Sequence, residues 1–460
     1  MVFSSLTFLC VFFPVVFIVY QILPGIKSRN ALLIIASLFF YAYGEPIYVL
    51  LMIISTIMNW VFGLLVAKSN YKKLILGIAV VANLGFLAVF KYADMFFGTL
   101  NFITGNELDL PGIALPIGIS FYTFQAMSYV IDVYRGVVKQ QKNYFKVLLY
   151  ISFFPQLIAG PIIKYKDIES QLSDRHASLD NIVYGLIRFC VGLAKKVLIA
   201  NAMGQIVDTI YAANQNEINI FVAWIAAVCY IMQIYFDFSA YSDMAIGMAK
   251  IFGFHYKENF NYPYISTNVK EFWRRWHISL STWFKDYLYI PLGGNRKGKL
   301  RTGVNKVIVF ACCGLWHGAN WTFLIWGLLH GLALMIEDYI PIKKLPKAVG
   351  FIYTLLIVTI LFVIFRADSI NEAGFMISQM FTGFHFEEAP LSLALSMLTP
   401  INITTFAVAI IAAFRFGQIL FEKTIKKYVF VLCIFALILL ILCLLTLSGG
   451  GYNPFIYFRF

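Results

Sequence analysis

The sequence predicts an all-α polytopic membrane protein, and three observations carry that expectation. Of 460 residues, 60% are hydrophobic and only 13% are charged, against about 25% charged in a typical soluble protein. The apolar residues gather into runs close to the roughly 20 residues that a helix needs to cross the hydrocarbon core. Lys and Arg alternate from one connecting loop to the next, which is the asymmetry that orients spans in a membrane. No soluble domain of this size hides so much apolar surface. Because no long polar segment separates two halves, residues 1–460 read as a single membrane-embedded domain.

Taken in order, the apolar runs fall near residues 3–24, 30–44, 47–67, 73–97, 113–133, 181–203, 218–236, 304–335, 348–366, 393–414 and 427–447. They amount to about 10–12 transmembrane helices, with re-entrant and interfacial helices, around a polar tunnel. The first run lacks a basic flank and a small-residue cleavage site, so it reads as a retained span and not a removed signal peptide. The run 304–335 is long enough for a bent helix or a tight helical pair about Gly318-Ala319-Asn320. The stretch 144–163 is apolar but interrupted by Pro155, Gly160 and Pro161. It reads as re-entrant or interfacial, since irregular backbone at depth survives only inside protein or along a cavity.

Charge sets the orientation. Lys27, Arg29, Lys68, Lys72 and Lys73 follow the first and third runs, whereas Gly44-Glu45-Pro46 and Asn106-Glu107-Leu108-Asp109 carry no cation. That places the N-terminus outside, and the basic stretch 250–306 inside, in the cytoplasm. The expected location is the cell (plasma or inner) membrane. The net charge of +13 follows from basic cytoplasmic loops and calls for no nucleic acid partner. The same loops suit anionic membrane lipid, a coenzyme phosphate or an acidic carrier protein. The seven cysteines lie in apolar runs without metal-ligand spacing, so no metal is expected.

Two polar islands break the apolar pattern. One is Glu271-Phe-Trp273-Arg274-Arg275-Trp276-His277, continuing through Ser279 and Ser281 to Asp286; the other is Gly314-Leu-Trp316-His317-Gly-Ala-Asn320-Trp321. Histidine at membrane depth is costly, because its ring nitrogens need partners that lipid does not supply. His317 stands between Trp316 and Gly318, where Trp316 and Trp321 can wall a pocket and small residues admit a substrate. A buried neutral imidazole holds a lone pair free for base catalysis. A satisfied core histidine is the competing reading, and at this point both stay open. For the first island the competing reading is an amphipathic interfacial helix anchored by Trp and Arg. Arg274 and Arg275 are candidate phosphate ligands.

His330 lies thirteen residues beyond His317, about 140° away around a continuous helix. It is expected to pack against a neighbouring helix and donate to a carbonyl. Ser120, Tyr122, Gln125, Ser128 and Asp132 stripe the fifth run and suit a cavity lining. Asp237 and Asp243, at the end of a run, read as a cap or hydrogen-bond hub. No Gly-x-Ser-x-Gly elbow, His-Glu-x-x-His motif, Walker loop or dinucleotide fingerprint is present.

At these residues the chain resembles the membrane-bound O-acyltransferases, most closely the bacterial branch that serves acetylation of alginate and other exported polysaccharides. The resemblance rests on Met1-Val-Phe-Ser-Ser5, Pro116–Arg135, Pro155–Pro161, Asp237–Gly253, Phe272–Arg296, Trp316–Trp321 and Asn453–Phe458. It implies that His317 is catalytic in a tunnel through the bundle, and that His277 is the second signature histidine. An acyl thioester, acetyl-coenzyme A or an acyl carrier protein conjugate, would enter from the cytoplasm as a donor substrate and not as a bound cofactor. The acyl group would cross to an exported polysaccharide or cell-wall polymer, with a separate extracytoplasmic acetyltransferase completing the transfer. Trp316, Asn320, Trp273, Trp276, Arg274, Arg275, Ser120 and Gln125 are then the expected substrate-binding residues. The alternatives are D-alanyl transfer to teichoic acid, O-acylation of a lipid, and transport of a polysaccharide precursor. The transporter reading predicts an inverted repeat, and none is evident in the sequence.

Overall fold

The computed structural model describes all residues except 106–107, 159, 341, 415–427 and 457–460, together with the side chain at 343. Asn106 and Glu107 of the orientation argument, residue 159 of the broken stretch, the first residue of the run 427–447, and Tyr457-Phe458 of the closing motif lie outside the described residues. The described residues form helices and no strand. Among the described residues, five helices are long and apolar enough to cross a membrane: Tyr48–Lys68, Lys72–Thr104, Ile220–Ile251, Lys347–Arg366 and Val429–Ser448. The pair Glu388–Met397 and Pro400–Ala413, bent by 64°, makes a sixth if it is one span. Gly25–Ala42, Ile119–Tyr134, Gly298–His317 and Trp321–Tyr339 occupy other expected runs as shorter or more polar helices. The protein is an all-α, multi-pass membrane protein.

Two compact units emerge. The first comprises Met1–Phe189 and Ser242–Lys257. Within it, Asn59 and Asn83 exchange amide hydrogen bonds of 3.0 and 2.8 Å between the Tyr48–Lys68 and Lys72–Thr104 helices. Such pairing removes the penalty of a lone amide in an apolar bundle. The stretch with the proline and glycine interruptions is broken as expected. Tyr144–Ser152 stops at Phe153, and a four-residue turn, Phe154–Leu157, follows with Pro155 in its first turn. The freed groups find side chains: Phe154 N–H donates to Ser37 Oγ (3.0 Å), and Tyr150 O–H donates to the Ile163 carbonyl (2.8 Å). Tyr256 O–H donates to Gln156 Oε1 at 2.6 Å. The described part of this irregular backbone is therefore buried in protein, with these polar groups bonded.

The second unit comprises Cys190–Tyr241 and Glu258–Phe460. Its centre is the helical pair Gly298–His317 and Trp321–Tyr339, the second of the two arrangements foreseen for run 304–335. Glycines make the pairing close. A Cβ on Gly314 would sit 2.2 Å from the Phe323 carbonyl oxygen, and one on Gly327 2.2 Å from that of Phe310. The two backbones thus touch where side chains would hold them apart. Asn320 caps the second helix by accepting from Thr322 N–H (3.1 Å), and its amide donates to the Asp368 carbonyl (2.9 Å).

The Asp237–Asp243 segment corrects the sequence reading. Both residues lie inside Ile220–Ile251 and not at its end, because the aromatic and small residues after Asp237 continue to pack as helix. In the second unit Asp237 forms a 2.6 Å ion pair with Lys196, both nearly inaccessible to solvent. Its other oxygen accepts from Ile456 N–H at 3.3 Å, and Lys196 also donates to the Pro454 carbonyl. In the first unit Asp243 receives two guanidinium bonds from Arg188, of 3.0 and 2.8 Å.

Lys299 and Asp109 are both exposed, which makes the orientation testable. In a background lacking the exposed Cys10 and Cys433, a cysteine replacing Lys299 is expected to react with impermeant maleimide only from the cytoplasmic side. One replacing Asp109 is expected to react only from outside; reversed labelling overturns the assignment.

Candidate active site

The site is built on two seven-residue helices, Val269–Arg275 and Ile278–Phe284. Helices this short do not hold themselves together, and this pair is fixed by its ends. Asn268 caps the first helix, accepting from Glu271 N–H at 2.8 Å. The Glu337 carboxylate takes the remaining early donors, Val269 N–H at 2.6 Å and Lys270 N–H at 3.0 Å. Glu271 reaches back to Thr267 N–H (3.1 Å) and forward to Arg275 (2.9 Å). Burial raises the Glu271 carboxyl pKa, but these bonds more than offset it and leave it below its usual value.

His277 joins the two helices. Its φ of 41° places a non-glycine residue in the left-handed region, an uncommon and costly conformation. The turn is held by Asn259, whose carbonyl accepts from Ile278 N–H (2.8 Å) and whose amide oxygen accepts from Ser279 N–H (3.0 Å). The imidazole is buried, and burial pushes its pKa down to about 3. It is therefore neutral at physiological pH. Its Nδ1 has no hydrogen-bond partner among the described residues.

His317 is the last residue of Gly298–His317, at the break before Asn320, and is 4% exposed. It sits in a cage of rings. Centroid separations are 4.9 Å to Trp316, 5.3 Å to Trp326 and 5.2 Å to Phe365, all near-perpendicular. His277 also stands edge-on to Trp316, at 6.0 Å. The two histidines therefore share one indole. Apolar rings around an imidazole exclude water and strengthen any charge interaction that develops there.

The other candidates divide. Trp273 donates its indole N–H to His330 Nδ1 at 3.2 Å. Trp276 is packed among Phe272, Phe260 and Phe362 at 5.2–5.4 Å, which makes it a wall of the site's support. Arg275 is committed to Glu271 and to the Asn261 carbonyl (3.1 Å). Arg274 is exposed and lines a cleft of about 330 Å³ with Thr267, Asn268 and Lys347. Asn320 spends its side chain on the helix cap. Ser120 and Gln125 belong to the first unit, both buried; Lys91 donates to Ser120 at 3.3 Å, and Gln156 donates to Gln125 at 3.4 Å.

Two expectations change. Trp321 is 45% exposed and does not wall the pocket. Trp326 does so instead, because the break at Gly318–Asn320 restarts the helix with Trp321 turned outward. The same break removes the angular argument that set His330 apart. His330 is fully buried, 4.8 Å from Trp326, and accepts a hydrogen bond instead of donating to a carbonyl. The Trp326–His330 spacing of one helical turn is the sequence signal that would have identified both.

Comparison with known proteins places these residues in a family context. Residues 136–365 match the model of the membrane-bound O-acyltransferase family. The chain is 39% identical to a probable alginate O-acetylase AlgI of Pseudomonas putida, over the full length of both. It is 42% identical to the Pseudomonas aeruginosa protein of the same name, over 91% of this chain and 81% of that one. A peptidoglycan O-acetyltransferase of Helicobacter pylori is 36% identical over 81% of this chain and 78% of its own.

Proposed function

Because this chain belongs to the membrane-bound O-acyltransferase family, and is an O-acyltransferase of the cell membrane, we propose that it carries an acetyl group outward from a cytoplasmic thioester. The destination is O-acylation of an exported polysaccharide or cell-wall polymer, the acceptor class named by its alginate and peptidoglycan relatives. The observation that carries the chemistry is His317 in its ring cage, sharing Trp316 with His277. His317 accepts the proton of the attacking hydroxyl. The hydroxyl oxygen bonds to the acyl carbon, the carbon–sulfur bond breaks, and the proton leaves with the thiolate as a free thiol. His277, neutral and locked by its turn, orients the thioester. A separate extracytoplasmic transferase takes the group on to the polymer.

On the cytoplasmic side, the cleft between Arg274 and Lys347 suits the phosphates of acetyl-coenzyme A or of a carrier's prosthetic arm. Replacing Arg274 by Ala is expected to raise the donor KM about tenfold, as for one charge-assisted hydrogen bond, while kcat stays near normal. Unchanged rates at limiting donor assign the arginine to membrane anchoring.

The whole reading is tested by mass spectrometry of exported polymer from cells with and without the protein. Loss of acetyl esters from the polymer is the expected result. An unchanged polymer with loss of esters from membrane lipid overturns the acceptor class, and loss of alanyl esters overturns the acyl group.

A further inference from the structure

Trp326 and His330 lie one turn apart on the same face of Trp321–Tyr339, with ring centroids 4.8 Å apart. Trp326 also meets His317 at 5.3 Å. Both are almost completely buried, at 1% and 0% exposure. Each holds a polar nitrogen that has no hydrogen-bond partner among the described residues: Nε1 of Trp326 and Nε2 of His330. An indole nitrogen only donates. The His330 nitrogen must also donate, because Nδ1 accepts from Trp273 at 3.2 Å and a neutral imidazole then carries its proton on Nε2. The second unit thus holds two N–H donors without a partner among the described residues, one helical turn apart on rings in contact, with the Trp326 ring against that of the proposed base. Leaving a donor unsatisfied in an apolar interior is unfavourable, and such groups call for an acceptor.

We propose that Trp326 Nε1–H, aided by His330 Nε2–H, donates to the acyl carbonyl oxygen and stabilises the oxyanion of the tetrahedral intermediate. The inference rests on the acyl-transfer reading of His317. In that step the acceptor oxygen bonds to the carbonyl carbon while its proton passes to His317, and the carbonyl π pair moves onto oxygen. The two N–H groups meet that growing negative charge. The pair then returns to re-form the carbonyl as the carbon–sulfur bond breaks, and the thiolate takes the proton from His317. Donors fixed by a helix and a Trp273 bond need no reorganisation as charge develops, which is what makes such donors effective. The Trp273–His330 bond has a defined part: it turns the unpaired proton of His330 toward Nε2. Trp273 is in this respect a positioning residue.

The test compares the full-length wild-type protein with Trp326→Phe and with a variant carrying 3-benzothienylalanine at 326, which keeps the ring size and lacks the N–H. Acetyl transfer is measured with acetyl-coenzyme A or an acetylated carrier protein as donor. Both variants are expected to lose about 10²- to 10³-fold in kcat with donor KM changed less than about threefold. A second readout follows the ¹³C=O stretch of a bound ketone analogue of acetyl-coenzyme A. The stretch should lie at lower frequency in the wild type than in either variant. If the benzothienyl variant keeps wild-type kcat and carbonyl frequency, Trp326 is a wall and the inference fails, while wild-type turnover leaves the acyl-transfer reading standing. If the wild type transfers no acetyl group from either donor and binds no analogue, the reading beneath it has failed instead.

Discussion

His317→Gln is expected to reduce acyl transfer by about 10²- to 10⁴-fold, the range for loss of a general base, in a protein that still folds and inserts. Glutamine fills nearly the same volume and still makes hydrogen bonds, but it takes up no proton at neutral pH. The cage explains why nothing else substitutes. Trp316, Trp326 and Phe365 surround the imidazole, and none of their side chains is a base. The measurement is turnover at equal membrane abundance, with thermal stability in detergent as the control. Near-normal polymer acylation by the Gln variant makes His317 a structural residue. If His277→Ala is silent as well, the chemistry assigned to this cage is wrong and the acyl transfer is carried by other residues.

Gly314→Leu is expected to destroy the site by a different route, through loss of the helical pair. Even one methyl group at Gly314 would stand 2.2 Å from the Phe323 carbonyl oxygen, and the reciprocal contact of Gly327 with Phe310 is equally close. Atoms at that separation force the backbones apart. Alanine favours helix over glycine by about 1 kcal/mol, while overpacking costs about 1–3 kcal/mol. The clash is with backbone and has no flexible side chain to yield, so the cost wins. Gly314→Ala should therefore lower the melting temperature, and Gly314→Leu should leave no folded protein in detergent. Activity should fall with stability, because His317 lies one turn beyond Gly314 and Trp326 is adjacent to Gly327. An Ala variant with unchanged melting temperature would remove the close-packing argument.

The class of fold and the two histidine islands were legible because both are written locally. Apolar runs report on lipid regardless of which run packs against which. A Trp-His-Gly sequence in such a run is conspicuous by itself. What local pattern could not show was the partner of each group. His330 packs against a neighbouring helix as expected, but the break after His317 resets the helical phase, and its ring accepts from Trp273 where donation to a carbonyl was expected. The local pattern makes Arg275 a candidate phosphate ligand but does not show that Glu271, one turn earlier, holds it. Asp237 was rightly suspected as a hub, but its partner Lys196 lies on a distant segment that no spacing rule connects. A tryptophan in an apolar run is ordinary, so Trp326 does not stand out in the sequence; an N–H without a partner among the described residues is what sets it apart.

The Lys196–Asp237 pair also bears on biogenesis. Each charge alone in hydrocarbon is costly, and their attraction compensates only once they meet in good geometry. The segment with Lys196 is synthesised first and must wait for Ile220–Ile251 to bring Asp237. Until the two meet, each segment carries an uncompensated charge, so this part of the second unit is complete only when both are in place. A chain that lacks one partner leaves the other as a buried, unpaired charge, so loss of one is expected to destabilise the fold more than loss of both.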